Sequence, residues 1–124
     1  MVVKLGCIRV TNKRKNIGPK PVPGEIVLDG DRGMHNIFRN DHVLYDHSDN
    51  EGRARVIALH KIDFDNDWNS HGPMYHEVHR LANLIMGGKK IALRCWCKPK
   101  PCHLDHVVDK INEVVNTQLS DSLF

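Results

Sequence analysis

Residues 90–107, KIALRCWCKPKPCHLDHV, contain the change from strand to helix that decides the fold. The first part alternates as a strand does, because every second side chain points to the same face. One face carries apolar and thiol side chains, those of Ile91, Leu93, Cys95 and Cys97. Pro99 and Pro101 end the strand, because a proline nitrogen has no hydrogen to donate to a neighbouring strand. Apolar residues at helical spacing then predict a helix that begins near Cys102, where unpaired N–H groups suit an anion or a thiolate.

The size and composition of the chain indicate one globular domain. It has 124 residues, of which 40% are hydrophobic and 27% are charged. We assign residues 1–116 to a single α/β domain and residues 117–124 to a flexible C-terminal tail. The formal net charge of +3 permits an anionic partner without requiring one. There is no signal peptide and no apolar run that could span a bilayer, so we expect no membrane association and a cytoplasmic location, where cysteines stay thiols or bind metals.

Two further strands are predicted in the first third of the chain. They are Val2–Val10 and Glu25–Asp29, and a basic loop rich in proline and glycine joins them. Strands separated by helices are typical of a small α/β domain with a mainly parallel sheet. In such sheets the ligand site lies beyond the carboxyl ends of the strands.

Two helices are predicted between the second strand and the cysteine-rich strand. The first runs from Asp49 to about Ile62, with Ser48 as its N-cap, and an acidic loop, Asp63–Ser70, follows it. The second begins at Pro73, a residue favoured in the first turn, and ends before Gly87-Gly88.

The cysteine cluster has the residue types of a zinc site. Cys95, Cys97, Cys102 and His103 resemble a Cys3His set. Adjacent side chains on a helix diverge by roughly a hundred degrees, however, so His106, one turn after Cys102, is the better-placed partner. The predicted metal ligands are therefore Cys95, Cys97, Cys102 and His106, with zinc as the candidate cofactor. Two other interpretations stay open: the cysteines are small core residues, or Cys102 is a reactive thiol activated by the helix start and nearby basic residues.

The motif CWCKPKPCH at residues 95–103 resembles the C-terminal signature of a bacterial and phage family, domain of unknown function 4326. The similarity runs from about Ile8 to Val115. It includes the segments Val10–Asn12 and Arg32–Phe38, and an arginine, Arg53, near the start of a helix. This chain differs from the family pattern at three positions. His35 and Ile37 replace a glycine and a proline, and Leu104 stands where glycine is common.

The resemblance implies a small three-layer Rossmann-like domain, often carried by phages, and it marks the site. The implied site residues are Asn12, Arg32, Asn36 and Arg53, together with the cysteine cluster. By analogy with similar folds, such domains often handle nucleotides.

These observations support two hypotheses from different classes. In the first, the domain binds or processes a nucleotide or another phosphorylated ligand: Arg32 and Arg53 hold phosphate, Asn12 and Asn36 orient the base or sugar, and Cys102 and His103 act as nucleophile and base or as anion contacts. In the second, the chain is a non-enzymatic interaction protein with a structural zinc, and it binds a host protein or a nucleic acid. The sequence leaves open whether the protein is an enzyme. It does predict that Arg32, Asn36 and Cys102 line one pocket that accepts an anion.

Overall fold

The protein is a small α/β domain built on a three-stranded sheet. The computed structural model describes residues 4–122. Its elements are, in chain order, β1 (Cys7–Asn12), β2 (Glu25–Asp29), α1 (Asn50–Ser70), α2 (Pro73–Met86), β3 (Lys90–Cys95) and α3 (Leu104–Ser122). The strands are all parallel and β3 lies between β1 and β2. The predicted α/β fold with a parallel sheet is therefore confirmed.

One face of the sheet carries the hydrophobic core. On β3, the side chains of Ile91, Leu93 and Cys95 are buried on this face, as the alternation of the sequence predicts. They belong to one apolar cluster with residues of β1, α2 and α3, among them the fully buried Ile111. Burial of these side chains provides the main force that holds the helices against the sheet.

The opposite face of the sheet carries ion pairs. Arg9 on β1 reaches across the central strand to Glu25 on β2, and its Nε and Nη2 each lie 2.8 Å from a carboxylate oxygen. The residue of β3 in register with Arg9 is Ala92, whose small side chain leaves room for the guanidinium. Next to this pair, Arg94 Nε donates to Asp29 Oδ1 at 2.7 Å.

The helix α1 differs from the prediction at both ends. Its N-cap is Asp49, whose carboxylate accepts from the N–H of Gly52 at 2.9 Å. Ser48 is not the cap, because its hydroxyl donates to the carboxylate of Asp46. The helix also continues to Ser70, so the predicted acidic loop is wrong.

The continuation of α1 has a simple physical reason. Its buried stripe consists of Arg53, Val56, His60 and Phe64, which repeat at helical spacing. Asp63 and Asp65 are exposed, whereas Asp67 is half-buried and its carboxylate accepts from the N–H groups of Met74 and Tyr75 at the start of α2. Since Arg53 and His60 in this stripe are polar, the stripe is hard to see in the sequence.

The remaining boundaries agree with the sequence more closely. α2 runs from Pro73 to Met86 and Gly87 follows it as the C-cap, as predicted. β1 begins at Cys7, so residues 4–6 of the predicted strand do not belong to it, and Val2 and Val3 lie outside the described part of the chain. The predicted flexible tail, residues 117–124, differs more: α3 continues through it as far as Ser122, and Leu119 packs against the core. Within residues 4–122, no helix combines the length and the apolar character needed to cross a bilayer.

Candidate functional site

A cavity of about 340 Å³ lies at the carboxyl edge of the sheet. The segments that follow β2 and β3 and the first turns of α1 form its wall, which includes Asp31, Arg32, Arg53, Trp96, Cys97 and His103. Its volume lies at the lower end of the range for small-molecule pockets. The location is the one expected for a ligand site in a parallel sheet.

Three cysteines converge beside this cavity. Cys95 ends β3, Cys97 follows in the loop, and Cys102 lies just before the start of α3. Their sulfur atoms all lie within 4.8 Å of one another, and Cys95 Sγ and Cys102 Sγ are 3.0 Å apart. The N–H of Leu104, at the helix start, donates to Cys102 Sγ at 3.5 Å. The predicted convergence of thiols and helix N–H groups is therefore present.

The three thiols are not equivalent. Cys102 is 1% exposed and lies behind the cavity wall, whereas Cys97 is part of that wall. Hydrogen bonds with Cys95 and Cys97, together with burial, raise the pKa of Cys102. Hydrogen bonds from Cys102 and Cys95, and also the charge of Arg53, lower the pKa of Cys97. Cys95 also lines the cavity but is 1% exposed, so the thiol presented to a ligand is Cys97 and not the predicted Cys102.

His103 faces the cysteines. Its Nε2 lies 2.7 Å from the carbonyl oxygen of Gly30, which can only accept, so Nε2 carries the hydrogen. The other ring nitrogen, Nδ1, then has a free lone pair, and it lies 3.7 Å from Cys102 Sγ. His103 also lines the cavity, as expected for a site residue.

His106 does not join the cysteine cluster. Its Nε2 is 2.7 Å from Nδ1 of His60, a buried residue of α1. His60 Nε2 donates to the carbonyl oxygen of Phe38 at 3.0 Å, so it is His106 that donates to His60. Burial, followed by the neighbouring His103 and His106, lowers the pKa of His60 to about 3. His106 thus faces α1, and His60 is a residue of this region that the sequence interpretation missed.

Arg53 is a buried cation in the cavity wall. The first turn of α1 carries it, and its side chain holds two loop segments: Nη2 donates to His47 O at 2.7 Å and Nη1 approaches Pro101 O at 3.5 Å. Its Nε is buried without a hydrogen-bond partner, the one such side-chain nitrogen or oxygen in the described region. Such orphaned donors are rare in folded proteins and call for an explanation.

The two predicted asparagines support loops rather than the cavity. Asn12 donates to the carbonyl of Lys98 and accepts from the N–H of Arg14 at 2.6 Å, so it fixes the cysteine loop against β1. Asn36 donates to the carboxylate of Asp31 at 2.6 Å. Neither lines the cavity. Of the predicted pocket residues Arg32, Asn36 and Cys102, only Arg32 lines it, together with Arg53.

Asp31 links several parts of the site. Its carboxylate accepts from Lys13 Nζ and from the indole Nε1 of Trp96, each at 2.8 Å. Although burial raises the pKa of Asp31, these two hydrogen bonds outweigh it and the pKa is lowered. Asp31 is therefore an ionised carboxylate whose charge is balanced by Lys13. The sequence interpretation missed both Asp31 and the contribution of Trp96 to the wall.

Together, the fold and the site define a small parallel α/β protein with a pocket of thiol, imidazole and guanidinium groups at the carboxyl edge of its sheet. The chain belongs to the family described as domain of unknown function (DUF4326), whose model matches residues 10–113. This result confirms the resemblance seen in the cysteine motif. No curated protein and no solved structure matches the chain.

The structure also accounts for one departure from the family pattern. Leu104 is fully buried next to Gly30, and a Cβ atom on Gly30 would lie 2.6 Å from the Leu104 side chain. The absence of a side chain at Gly30 therefore makes room for leucine at the helix start. In the other departing segment, His35 and Ile37 are exposed and Phe38 is buried in the core.

Proposed function

We propose that this chain binds a phosphorylated small molecule of the nucleotide class in the cavity. The observation that carries the proposal is the guanidinium of Arg53, which is 3% exposed, lines the cavity and keeps Nε unpaired. A buried donor without an acceptor is costly, and a phosphate oxygen is a strong acceptor for guanidinium. The proposed setting is the cytoplasm, or the host cytoplasm if a phage carries the gene.

The other residues of the wall suit the same class of ligand. Arg32 supplies a second guanidinium, and forked donors are the usual partners of phosphate. Trp96 offers a partly exposed aromatic ring, a surface on which a base can stack. The carboxylate of Asp31 is paired with Lys13, which reduces its repulsion of an anion.

Cys97 is the candidate nucleophile for a chemical step in the metal-free protein, since a Cys97 thiolate bound to Zn²⁺ would not be free to attack a ligand. It is the cysteine of lowered pKa in the cavity wall, whereas burial separates Cys102 from the cavity. A thiolate is the nucleophilic form of cysteine.

The test is a titration of the purified protein with nucleoside mono-, di- and triphosphates and with inorganic phosphate, followed by calorimetry. We expect at least one nucleotide to bind, and Arg32→Ala to weaken its binding by about 10–100-fold, since a hydrogen bond to a charged group contributes roughly 1.5–3 kcal/mol. Arg32 is exposed, so the variant should keep the thermal midpoint of the wild type.

The matched control is Arg55→Ala. Arg55 is an exposed residue of α1 that does not line the cavity, and its loss changes the net charge by the same amount. It should bind the nucleotide as the wild type does. The proposal is wrong if no compound of the panel binds, or if Arg32→Ala and Arg55→Ala weaken binding equally.

A further inference from the structure

We infer that Cys95, Cys97, Cys102 and His103 form a site for one Zn²⁺ ion in the cavity wall, with His103 and not His106 as the nitrogen ligand. This inference goes beyond the proposed function and does not rest on it. It needs only the geometry of four side chains between the end of β3 and the start of α3.

The three sulfur atoms already lie close enough together to share one ion. With zinc–sulfur bonds of about 2.3 Å, two thiolates on one ion lie about 3.8 Å apart. All three sulfurs lie within 4.8 Å of one another. The 3.0 Å contact between Cys95 Sγ and Cys102 Sγ would lengthen by less than about 1 Å on binding, a movement within reach of side-chain rotation.

Nδ1 of His103 lies close to one of the three sulfurs. A zinc–nitrogen bond of about 2.0–2.1 Å places the nitrogen about 3.6 Å from each sulfur, and Nδ1 lies 3.7 Å from Cys102 Sγ. The mutually close ligand atoms are those of the three cysteines, so the His103 ring has to turn towards Cys95 and Cys97 to complete the set. Its Nε2 hydrogen is donated to Gly30 O, and zinc-bound histidines usually donate their second nitrogen to a carbonyl or carboxylate in this way. His106 has its Nε2 against His60 instead.

The surroundings compensate the charge of such a centre. Three thiolates and one Zn²⁺ ion carry a net charge of −1, which is costly to bury alone. The buried guanidinium of Arg53 stands next to Cys97, and the N–H of Leu104 donates to Cys102 Sγ. Cysteine and histidine ligands of this number select zinc among the common divalent cations.

The metal would also shape the cavity. Its ligands bracket residues 98–101, and this loop supplies Pro101 O, which Arg53 approaches, and Lys98 O, to which Asn12 donates. A metal that fixes both ends of the loop therefore fixes one wall of the pocket.

The first measurement is elemental analysis of the full chain, purified under reducing conditions from zinc-supplemented medium. We expect about one equivalent of zinc, and after its removal we expect Co²⁺ to bind with a thiolate-to-cobalt charge-transfer band. A chelator should lower the thermal midpoint. A metal-free protein that gives no Co²⁺ band, or one that shows a Cys95–Cys102 disulfide even when kept reduced, overturns the inference.

Two matched pairs of variants test the ligand set. Cys97→Ser should weaken zinc binding by more than the 10–100-fold typical for loss of an outer partner, while Cys7→Ser, at an exposed cysteine of β1, should not. His103→Ala should shift the visible Co²⁺ bands and His106→Ala should leave them as in the wild type. Unchanged bands in His103→Ala, or equal losses in the two cysteine variants, would contradict the assignment.

Folding and ligand binding are separated by two further readouts. Circular dichroism of each variant without metal shows whether the variant folds. If a variant does not fold, the metal content of the wild type still tests the inference. Arg32→Ala should keep the Co²⁺ spectrum. Metal without nucleotide binding would then refute only the proposed function, and nucleotide binding without metal only this inference.

Discussion

Arg53 is the residue on which the site depends most. It holds the carbonyl groups of His47 and Pro101, so it joins the segment before α1 to the loop before α3. Its charge lies beside Cys97, and its Nε has no hydrogen-bond partner among residues 4–122. A single buried side chain thus combines a structural role with an unused donor, to which the proposal assigns a phosphate.

Replacing this arginine by lysine should separate these roles. Lysine keeps the charge but cannot donate in two fixed directions, so Arg53→Lys should lower the free energy of unfolding by about 1.5–3 kcal/mol. Arg55→Lys, two residues later and exposed, should stay within about 0.5 kcal/mol of the wild type. Urea unfolding measures both. Equal midpoints for the two variants would show that the carbonyl contacts of Arg53 do not stabilise the fold.

At the scale of elements, the start of α1 shows what spacing alone leaves undecided. Ser48 and Glu51 have the spacing of a capping box, yet the carboxylate of Asp49 caps the helix. The hydroxyl of Ser48 is already bound to Asp46, a contact that depends on the fold of the preceding turn. Spacing alone therefore cannot decide between Ser48 and Asp49 as the N-cap, because the choice depends on the conformation of the preceding turn.

The cap can be tested by two alanine variants. Asp49→Ala removes an acceptor from the first turn of α1 and should cost about 0.5–2 kcal/mol of stability. Ser48→Ala should cost less, because its hydroxyl bonds only to Asp46 in an exposed turn. Thermal unfolding of the two variants compares them directly. A larger loss of stability for Ser48→Ala than for Asp49→Ala would show that Ser48 is the N-cap, as predicted from the sequence.

The site was predictable in composition but not in arrangement. Alternation predicted the face of Cys95, and the prolines predicted that the strand stops before Pro99, so the convergence of cysteines followed from local rules. β3 itself already ends at Cys95, which leaves Cys97 in the loop and not on the strand face as predicted. The choice between His103 and His106 depends on how α3 rotates against α1, which a spacing rule does not contain. The same holds for the burial of Cys102, which is set by the path of the loop after Cys97.

At the scale of the whole molecule, the sheet is tied together on its polar face as well as in its core. The pair Arg9–Glu25 connects the two outer strands across β3. Hydrogen bonds from Arg9, with a further one from the N–H of Val22, lower the pKa of Glu25 from 4.5 to about 2.

The other interpretation of the sequence, that the protein binds a host protein or a nucleic acid, stays a prediction.

The lowered pKa of Glu25 predicts a pH dependence. Its contribution to stability is present above about pH 4.5 and is lost as the pH falls towards 2, because the unfolded chain takes up the proton first. Glu25→Gln should lower the free energy of unfolding at pH 7 by about 1.5–3 kcal/mol and remove this part of the acid dependence.

The control is Glu113→Gln, which breaks an exposed pair with Lys110. It should change stability by less than about 1 kcal/mol at any pH. Denaturant unfolding between pH 3 and 7 provides the comparison. If the free energy of unfolding falls equally with decreasing pH in the wild type and in Glu25→Gln, this ion pair does not hold the outer strands.

The central position of β3 has a consequence for folding during synthesis on the ribosome. β1 and β2 make no ladder with each other; each pairs only with β3, and the hydroxyl of Thr11 reaches the carbonyl of Leu93, 82 residues later. A ribosome must therefore translate 82 residues beyond Thr11 before this part of β1 can meet its partner in β3, so β1 and β2 leave the exit tunnel unpaired. Sequence-distant pairing of this kind slows folding and exposes strand edges meanwhile. The sheet, and with it the pocket, can form only after β3 and the loop that follows it have been synthesised.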